Sequence, residues 1–227
     1  MKKSDILFTV LAMGSAILHI WAEYHGPPLQ IYVFKPLTMV FILIIALTKA
    51  KEGLSFYAYA VIAGLVCSMT GDLFLMLPTD RFVAGLVSFL IAHLFYIAAF
   101  TYGRPIRFTL WPPVLFALYG VFIYVILHPY LGDMKIPVFV YVLVIMIMGW
   151  RAWERWAHTH MKTALLAFFG AMLFIISDSI LALNKFREHF EMARALSLST
   201  YFSAQWLIAL SVSKTGAADQ KDLSLQG

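Results

Sequence analysis

The stretch CSMTGDLFLML, residues 67–77, sets an aspartate, Asp72, inside an otherwise apolar run. A second stretch, IISDSILAL at 175–183, repeats the arrangement around Asp178. An isolated carboxylate in such a run is expensive in a soluble core and more so in lipid. The reading of these two stretches therefore decides both what kind of molecule this is and where its chemistry sits.

The whole chain is oily. Of its 227 residues 62% are hydrophobic and 13% charged, and its mean hydropathy is +0.82. A soluble domain has roughly half its residues apolar and about a quarter charged. The composition specifies an all-α polytopic membrane bundle, and the apolar runs divide it into eight spans: 6–22, 29–48, 55–77, 82–102, 110–128, 134–153, 162–184 and 193–212. Short linkers rich in turn-formers join them ("HGPP", "KEG", "PTDR", "GRP", "PYLGD"), and no water-soluble domain fits between. Residues 1–213 form one membrane domain, and the polar tail 214–227 is expected to be disordered. The first run lacks a small-residue cleavage site and reads as an uncleaved span. The formal net charge of +5 does not signal nucleic acid, because the basic residues are spread over short loops. The single cysteine, Cys67, excludes an internal disulfide framework and a cysteine-based zinc site.

Lysine and arginine set the orientation. With the N-terminus inside, the inner segments carry eleven of them (Lys2, Lys3, Lys49, Lys51, Arg104, Arg107, Arg151, Arg155, Lys162, Lys214, Lys221) and the outer loops five. Both termini are therefore expected in the cytoplasm, with the inner membrane of a bacterial cell as the location. The loop RAWERWAHTH reads as a headgroup anchor on the inner side. Glu23, His25 and His128 read as solvated residues at the outer interface.

A faint internal repeat runs through the chain. GDLFLML of span three matches SDSILAL of span seven on the aspartates, Lys35-Pro36 matches Lys135-Ile136-Pro137, and His93 of span four falls opposite Gln205 of span eight. The matched spans run in the same direction, as in a parallel repeat.

Three ionisable residues lie within spans two, three and seven: Lys35, Asp72 and Asp178. Each costs about 3 kcal/mol at a helix centre on insertion scales. Counted from the outer end of its span, Lys35 is six residues in, Asp72 five and Asp178 six. At 1.5 Å per residue all three lie about 8 Å below the outer edge. Two carboxylates and one ammonium leave one negative charge uncompensated, so in a dry pocket one aspartate keeps a proton while the other pairs with Lys35. A protonated donor beside an ionised acceptor is what acid–base catalysis requires; a structural knot of helix-joining ion pairs is the competing reading. Around this core, Ser68 lies one turn from Asp72. His93 sits mid-span, Tyr201 and Gln205 form a polar stripe, and Asn184 caps or lines the site from the end of span seven.

The ordered series FKPLTM, SMTGDLFLML, SFLIAHLFYIAAF, PVFVYVLVIMIM, GAMLFIISDSILALNKF and YFSAQWLIA resembles the YhhN family, the lysoplasmalogenase family of membrane proteins, from about Lys35 to Ala209. The resemblance implies an eight-helix membrane hydrolase that cleaves the vinyl ether bond of lysoplasmalogens. Its products are a fatty aldehyde and a glycerophospho-alcohol. It further implies that Asp72 and Asp178 are the catalytic pair and Lys35 the family lysine. Such chemistry needs no metal and no cofactor, and its partners are a lysophospholipid substrate and the surrounding lipid. The readings from other classes are a proton-coupled transporter using the same three charges as a relay, and a zinc-dependent lipid amidase drawing on His19, His25, His93, His128 and His189.

Overall fold

The structure is a computed structural model, and the residues described are 3–51, 55–79, 81–103 and 111–212. Lys2, Arg104, Arg107, Lys214, Lys221 and the tail 214–227 lie outside them. Eight α-helices follow one another: α1 (Lys3–His25), α2 (Pro28–Ala50), α3 (Phe56–Met76), α4 (Phe82–Thr101), α5 (Trp111–Leu127), α6 (Lys135–Thr159), α7 (Lys162–Ala182) and α8 (Ala193–Leu210). Among the described residues there is no strand. This is a polytopic all-α membrane bundle.

The termini of the helices follow from local chemistry. Pro27 and Pro28 open α2, where a missing N–H costs nothing. Ser55 caps α3 by accepting the Ala58 N–H at 3.2 Å. Helix α7 ends in a π-turn, Leu183–Arg187, whose Asn184 Oδ1 accepts the Phe190 N–H at 3.2 Å. Inside α2, Pro36 has no N–H to give to the carbonyl of Tyr32 one turn earlier.

Seven of the helices are long and apolar enough to cross a membrane; α8 is not among them. It nevertheless runs the full depth of the bundle. At one end Arg194 pairs with Glu23 at 2.9 Å and the Tyr24 hydroxyl donates to the Glu191 carbonyl at 2.7 Å. At the other the hydroxyls of Tyr57 and Ser211 meet at 2.6 Å. Its hydropathy is lowered by polar residues on both faces: Ser197, Tyr201 and Gln205 are buried inside the bundle, and Arg194, Ser199 and Ser203 are exposed. Lys49 at the end of α2 lies 3.6 Å from Asp5 at the start of α1, so residues 5 and 211 both sit at the end opposite the Arg194–Glu23 pair.

One sequence expectation is corrected in α6. The helix continues to Thr159, so RAWERWAHTH is helix and not loop. Arg151 and Glu154 are both buried there, bonded to each other, and Arg151 Nε also donates to Thr101 Oγ1 at 2.9 Å. The i, i+3 pairing neutralises both charges and lets the helix bury them.

The packing has the pattern of a repeat of α1–α4 in α5–α8. The neighbours α1–α2, α2–α3, α3–α4 and α2–α8 recur as α5–α6, α6–α7, α7–α8 and α6–α4. Gly64 and Gly170 stand eight residues before Asp72 and Asp178. A Cβ on Gly64 would meet the Tyr96 ring at 2.3 Å, and one on Gly170 would meet Ile208 at 2.7 Å. Matching His93 to Gln205 places Tyr96 on Ile208, so the two close approaches correspond. Small residues let helix backbones approach in lipid, where dispersion contacts drive association.

Candidate active site

Lys35 from α2, Asp72 from α3 and Tyr201 from α8 meet at one point. Lys35 Nζ lies 3.0 Å from Asp72 Oδ1, and the Tyr201 hydroxyl donates to Asp72 Oδ2 at 2.6 Å. The Asp72 side chain is 2% exposed and that of Lys35 11%. A buried carboxylate held by a cation and a phenol is fully engaged on both oxygens.

Asp178 is held differently. Its Oδ2 accepts a hydrogen bond from the Tyr141 hydroxyl of α6. No ion pair to Asp178 is found among the described residues. The Tyr141 ring packs edge-on against His93 at 5.2 Å, and His93 against Phe174 at 4.7 Å.

A cavity of ≈ 350 Å³ joins the two halves. Lys35, Asp72, Asp178, Asn184 and Tyr201 line it, and Glu23 and Arg194 stand in its wall at the helix ends. Below it, the bundle is filled by side chains without measurable exposure, among them Met39, Ile45, Tyr96, Phe100 and Phe174. The charged groups thus face a chamber at one end of the bundle, closed toward the other by packed core.

Of the residues singled out from sequence, Asp72, Asp178, Lys35, Asn184 and Tyr201 share this cavity. Three do not line it. Ser68 is buried with its hydroxyl unpartnered, bonded neither to Asp72 nor to its own backbone. His93 is fully buried, and neither ring nitrogen has a hydrogen-bond partner. Gln205 accepts from the Tyr96 hydroxyl at 2.7 Å. Glu23, read from sequence as solvated, is largely covered and ion-paired, because α8 brings Arg194 across it. His25 and His128 are exposed as expected. Tyr141 escaped the sequence reading, although it lies six residues into α6, close to the depth of the three charges. Among the described residues no three His, Cys, Asp or Glu side chains come together as a metal-ligand set.

The YhhN family model matches residues 30–212, a range that contains every side chain of the cavity except Glu23 and Pro28. The chain belongs to the YhhN family. It is 31% identical over 199 residues to "Uncharacterized membrane protein YhhN" of Escherichia coli O157:H7, covering 87% of this chain and 94% of that one. It is 43% identical over 160 residues to human "Lysoplasmalogenase TMEM86A", covering 68% of this chain and 65% of that one. With human "Lysoplasmalogenase TMEM86B" the identity is 34% over 155 residues, covering 68% and 64%. No solved structure matches the chain.

Proposed function

We propose that this YhhN protein is a membrane-embedded hydrolase of lysoplasmalogen-type lipids, working by general acid–base catalysis between Asp178 and Asp72. The observation that carries the reading is the unequal partnering of two carboxyls in one cavity. Asp72 has the Lys35 ammonium at 3.0 Å and serves as the ionised base. Asp178 has a neutral phenol as its partner and serves as the proton donor. The names of the human relatives supply the substrate class.

The steps close without a cofactor. A vinyl ether resists direct nucleophilic attack and reacts by protonation. Asp178 gives its proton to the carbon one removed from the ether oxygen, and an oxocarbenium ion forms. The Asp72 carboxylate stabilises that cation and takes a proton from the water that adds to it. The hemiacetal then collapses. Its hydroxyl proton returns to Asp178, and Asp72 protonates the departing glycerol oxygen. Fatty aldehyde and glycerophospho-alcohol are released, and both aspartates end as they began. Lys35 keeps Asp72 ionised between turnovers.

A transporter using the same charges needs access from both ends of the bundle. The packed core beneath the cavity favours the hydrolase. The cytoplasmic placement of both termini and location in a bacterial inner membrane remain part of this proposal, on the charge asymmetry of the loops. The test is aldehyde release from a lysoplasmalogen by the purified protein in detergent, with and without a chelator. Release at the same rate in both, and its loss in Asp178→Asn and Asp72→Asn proteins that remain folded, is the expected result. Full activity in either variant removes that aspartate from the mechanism.

A further inference from the structure

Asp178 faces a second hollow besides the polar cavity. A narrow slot of ≈ 60 Å³ runs between α4, α5, α6 and α7, and it shares Leu75, Phe89, Asp178 and Leu181 with the polar chamber. Its remaining walls are hydrocarbon, with Leu86 from α4, Ile123 and Leu127 from α5, Val138 and Val142 from α6 and Ala182 from α7. Its polar side chains are already occupied. Tyr141 donates to Asp178. The Ser179 hydroxyl accepts from Tyr119 at 3.1 Å and donates to the Ile175 carbonyl at 2.7 Å. Nothing in the slot calls for water, and an apolar hollow of this kind stays dry.

The helix that closes the slot is loosely held. Along α5 only Pro112, Gly120, Ile123 and Leu127 are buried, and Ile123 and Leu127 are the two that wall the slot. At the helix end, Phe186 of the π-turn lies edge-on to Phe82 at 5.5 Å, and Lys185 Nζ sits 5.1 Å from the Phe82 ring. This aromatic pair covers the slot on the side where α7 ends.

We propose that the slot is the binding site for the hydrocarbon chain of the substrate, and that it grips the methylenes next to the reacting bond. The inference rests on the hydrolase reading and adds to it how the substrate is oriented. An amphiphile whose polar part fills the Lys35–Asp72 chamber and whose chain enters the slot must place the joint between the two beside Asp178. That joint is the vinyl ether. The carbon to be protonated is on the chain side of the ether oxygen, and Asp178 is the carboxyl that borders the chain site. Ile123 and Ala182 are then specificity residues: they set the width available to the chain and, being apolar, hydrogen-bond to neither carboxyl.

Two experiments test this. The first uses a saturated ether analogue of the lysolipid, which is not hydrolysed, carrying a diazirine in its first methylenes. Photolabelling of α5 and α6 at slot residues is expected, and labelling confined to α1, α2, α8 or the lipid-facing surface overturns the proposal. This readout does not depend on turnover. A protein that is labelled in the slot but releases no aldehyde from any vinyl ether lipid would refute the hydrolase reading and leave the chain site standing. The second compares kcat/KM for three vinyl ethers: a long straight chain, the same chain with a methyl branch next to the double bond, and a propenyl ether too short to enter the slot. Ala182→Phe is expected to lower the ratio of long-chain to propenyl activity by at least about tenfold, and Ile123→Ala to shift the straight-to-branched ratio about tenfold toward the branched chain. Unchanged ratios in both folded variants would place the chain elsewhere.

Discussion

The two aspartates occupy corresponding positions on α3 and α7, yet their charged and hydrogen-bonding partners differ. When His93 is matched to Gln205, Phe89 of α4 falls on Tyr201 of α8. Asp72 receives a hydrogen bond from Tyr201 at 2.6 Å. Asp178 has Phe89 in its cavity wall, a ring of the same size with no hydroxyl to give. From α2, Asp72 receives an ammonium; from α6, Asp178 receives a phenol. Asp72 is thus surrounded, from both halves of the bundle, by groups that favour charge, and Asp178 by groups that tolerate a proton. A near-symmetric frame yields two unlike carboxyls through a handful of side chains, and that inequality is what acid–base catalysis exploits.

The largest expected effect comes from making the halves more alike by removing the cation. Lys35→Met leaves Asp72 buried with a charge and no counter-ion, and should cost about 3 kcal/mol of stability. Thermal unfolding in detergent measures it. Adding Asp72→Asn to that variant removes the orphaned charge and should restore most of the loss. A double variant no more stable than the single one would mean that the ion pair is not what Lys35 contributes.

Next come the acids themselves. Asp178→Asn and Asp72→Asn should each lower kcat by at least about a hundredfold, or roughly 2.7 kcal/mol. Their residual rates should respond differently to pH. Without Asp178 only hydronium can protonate the vinyl ether, so the remaining rate should climb steadily as pH falls. Without Asp72 the protein still delivers the proton, and the remaining rate should level off. Identical profiles would mean that the roles are not divided as the partnering implies.

These charges were legible in the sequence because an ionisable residue in an apolar run is conspicuous, and because spans of known length convert residue counts into depth. The span limits were legible for the same reason: the expected 82–102 is α4 (Phe82–Thr101), and 29–48 is α2 (Pro28–Ala50). What stayed hidden was made of ordinary material. Tyr141 is one aromatic among many in an oily chain, and only the fold shows that its hydroxyl reaches Asp178. The apolar slot is lined by the same residue types that fill the core, so composition cannot separate a hollow from a packed region. Helix α6 was read as ending near Trp153 because Arg151, Glu154 and Arg155 look like a loop until Arg151 and Glu154 are seen to satisfy each other inside the bundle.

The tyrosines test the comparison more gently. Tyr141→Phe removes the hydrogen bond to Asp178, the proton donor of the proposed mechanism, and should reduce kcat about tenfold, or roughly 1.4 kcal/mol. Tyr201→Phe should cost less, because Lys35 still holds Asp72 from the other oxygen. Steady-state kinetics on the long-chain vinyl ether would show the order. A larger loss at Tyr201 would mean that the phenol, not the ammonium, governs Asp72.

The smallest effect concerns the frame. Matching the aspartates puts Gly71 on Ser177, and matching His93 to Gln205 puts Gly85 on Ser197. At the first crossing, a Cβ on Gly85 would lie 3.4 Å from the Gly71 carbonyl and 2.7 Å from the Leu75 side chain, and one turn along Ser88 Oγ donates to the Cys67 carbonyl at 2.9 Å. At the second, Ser177 Oγ donates to the Ser197 carbonyl at 2.9 Å and Ser197 Oγ to the Ser177 carbonyl at 3.2 Å. If packing holds both crossings, the serine hydroxyls are an addition to it. Ser197→Ala keeps the Cβ and one of the two bonds, and should cost about 0.6 kcal/mol, the usual worth of a hydrogen bond between membrane helices. A loss of several kcal/mol in thermal unfolding would show that the α7–α8 pair depends on its polar contacts, with packing alone too weak to hold it.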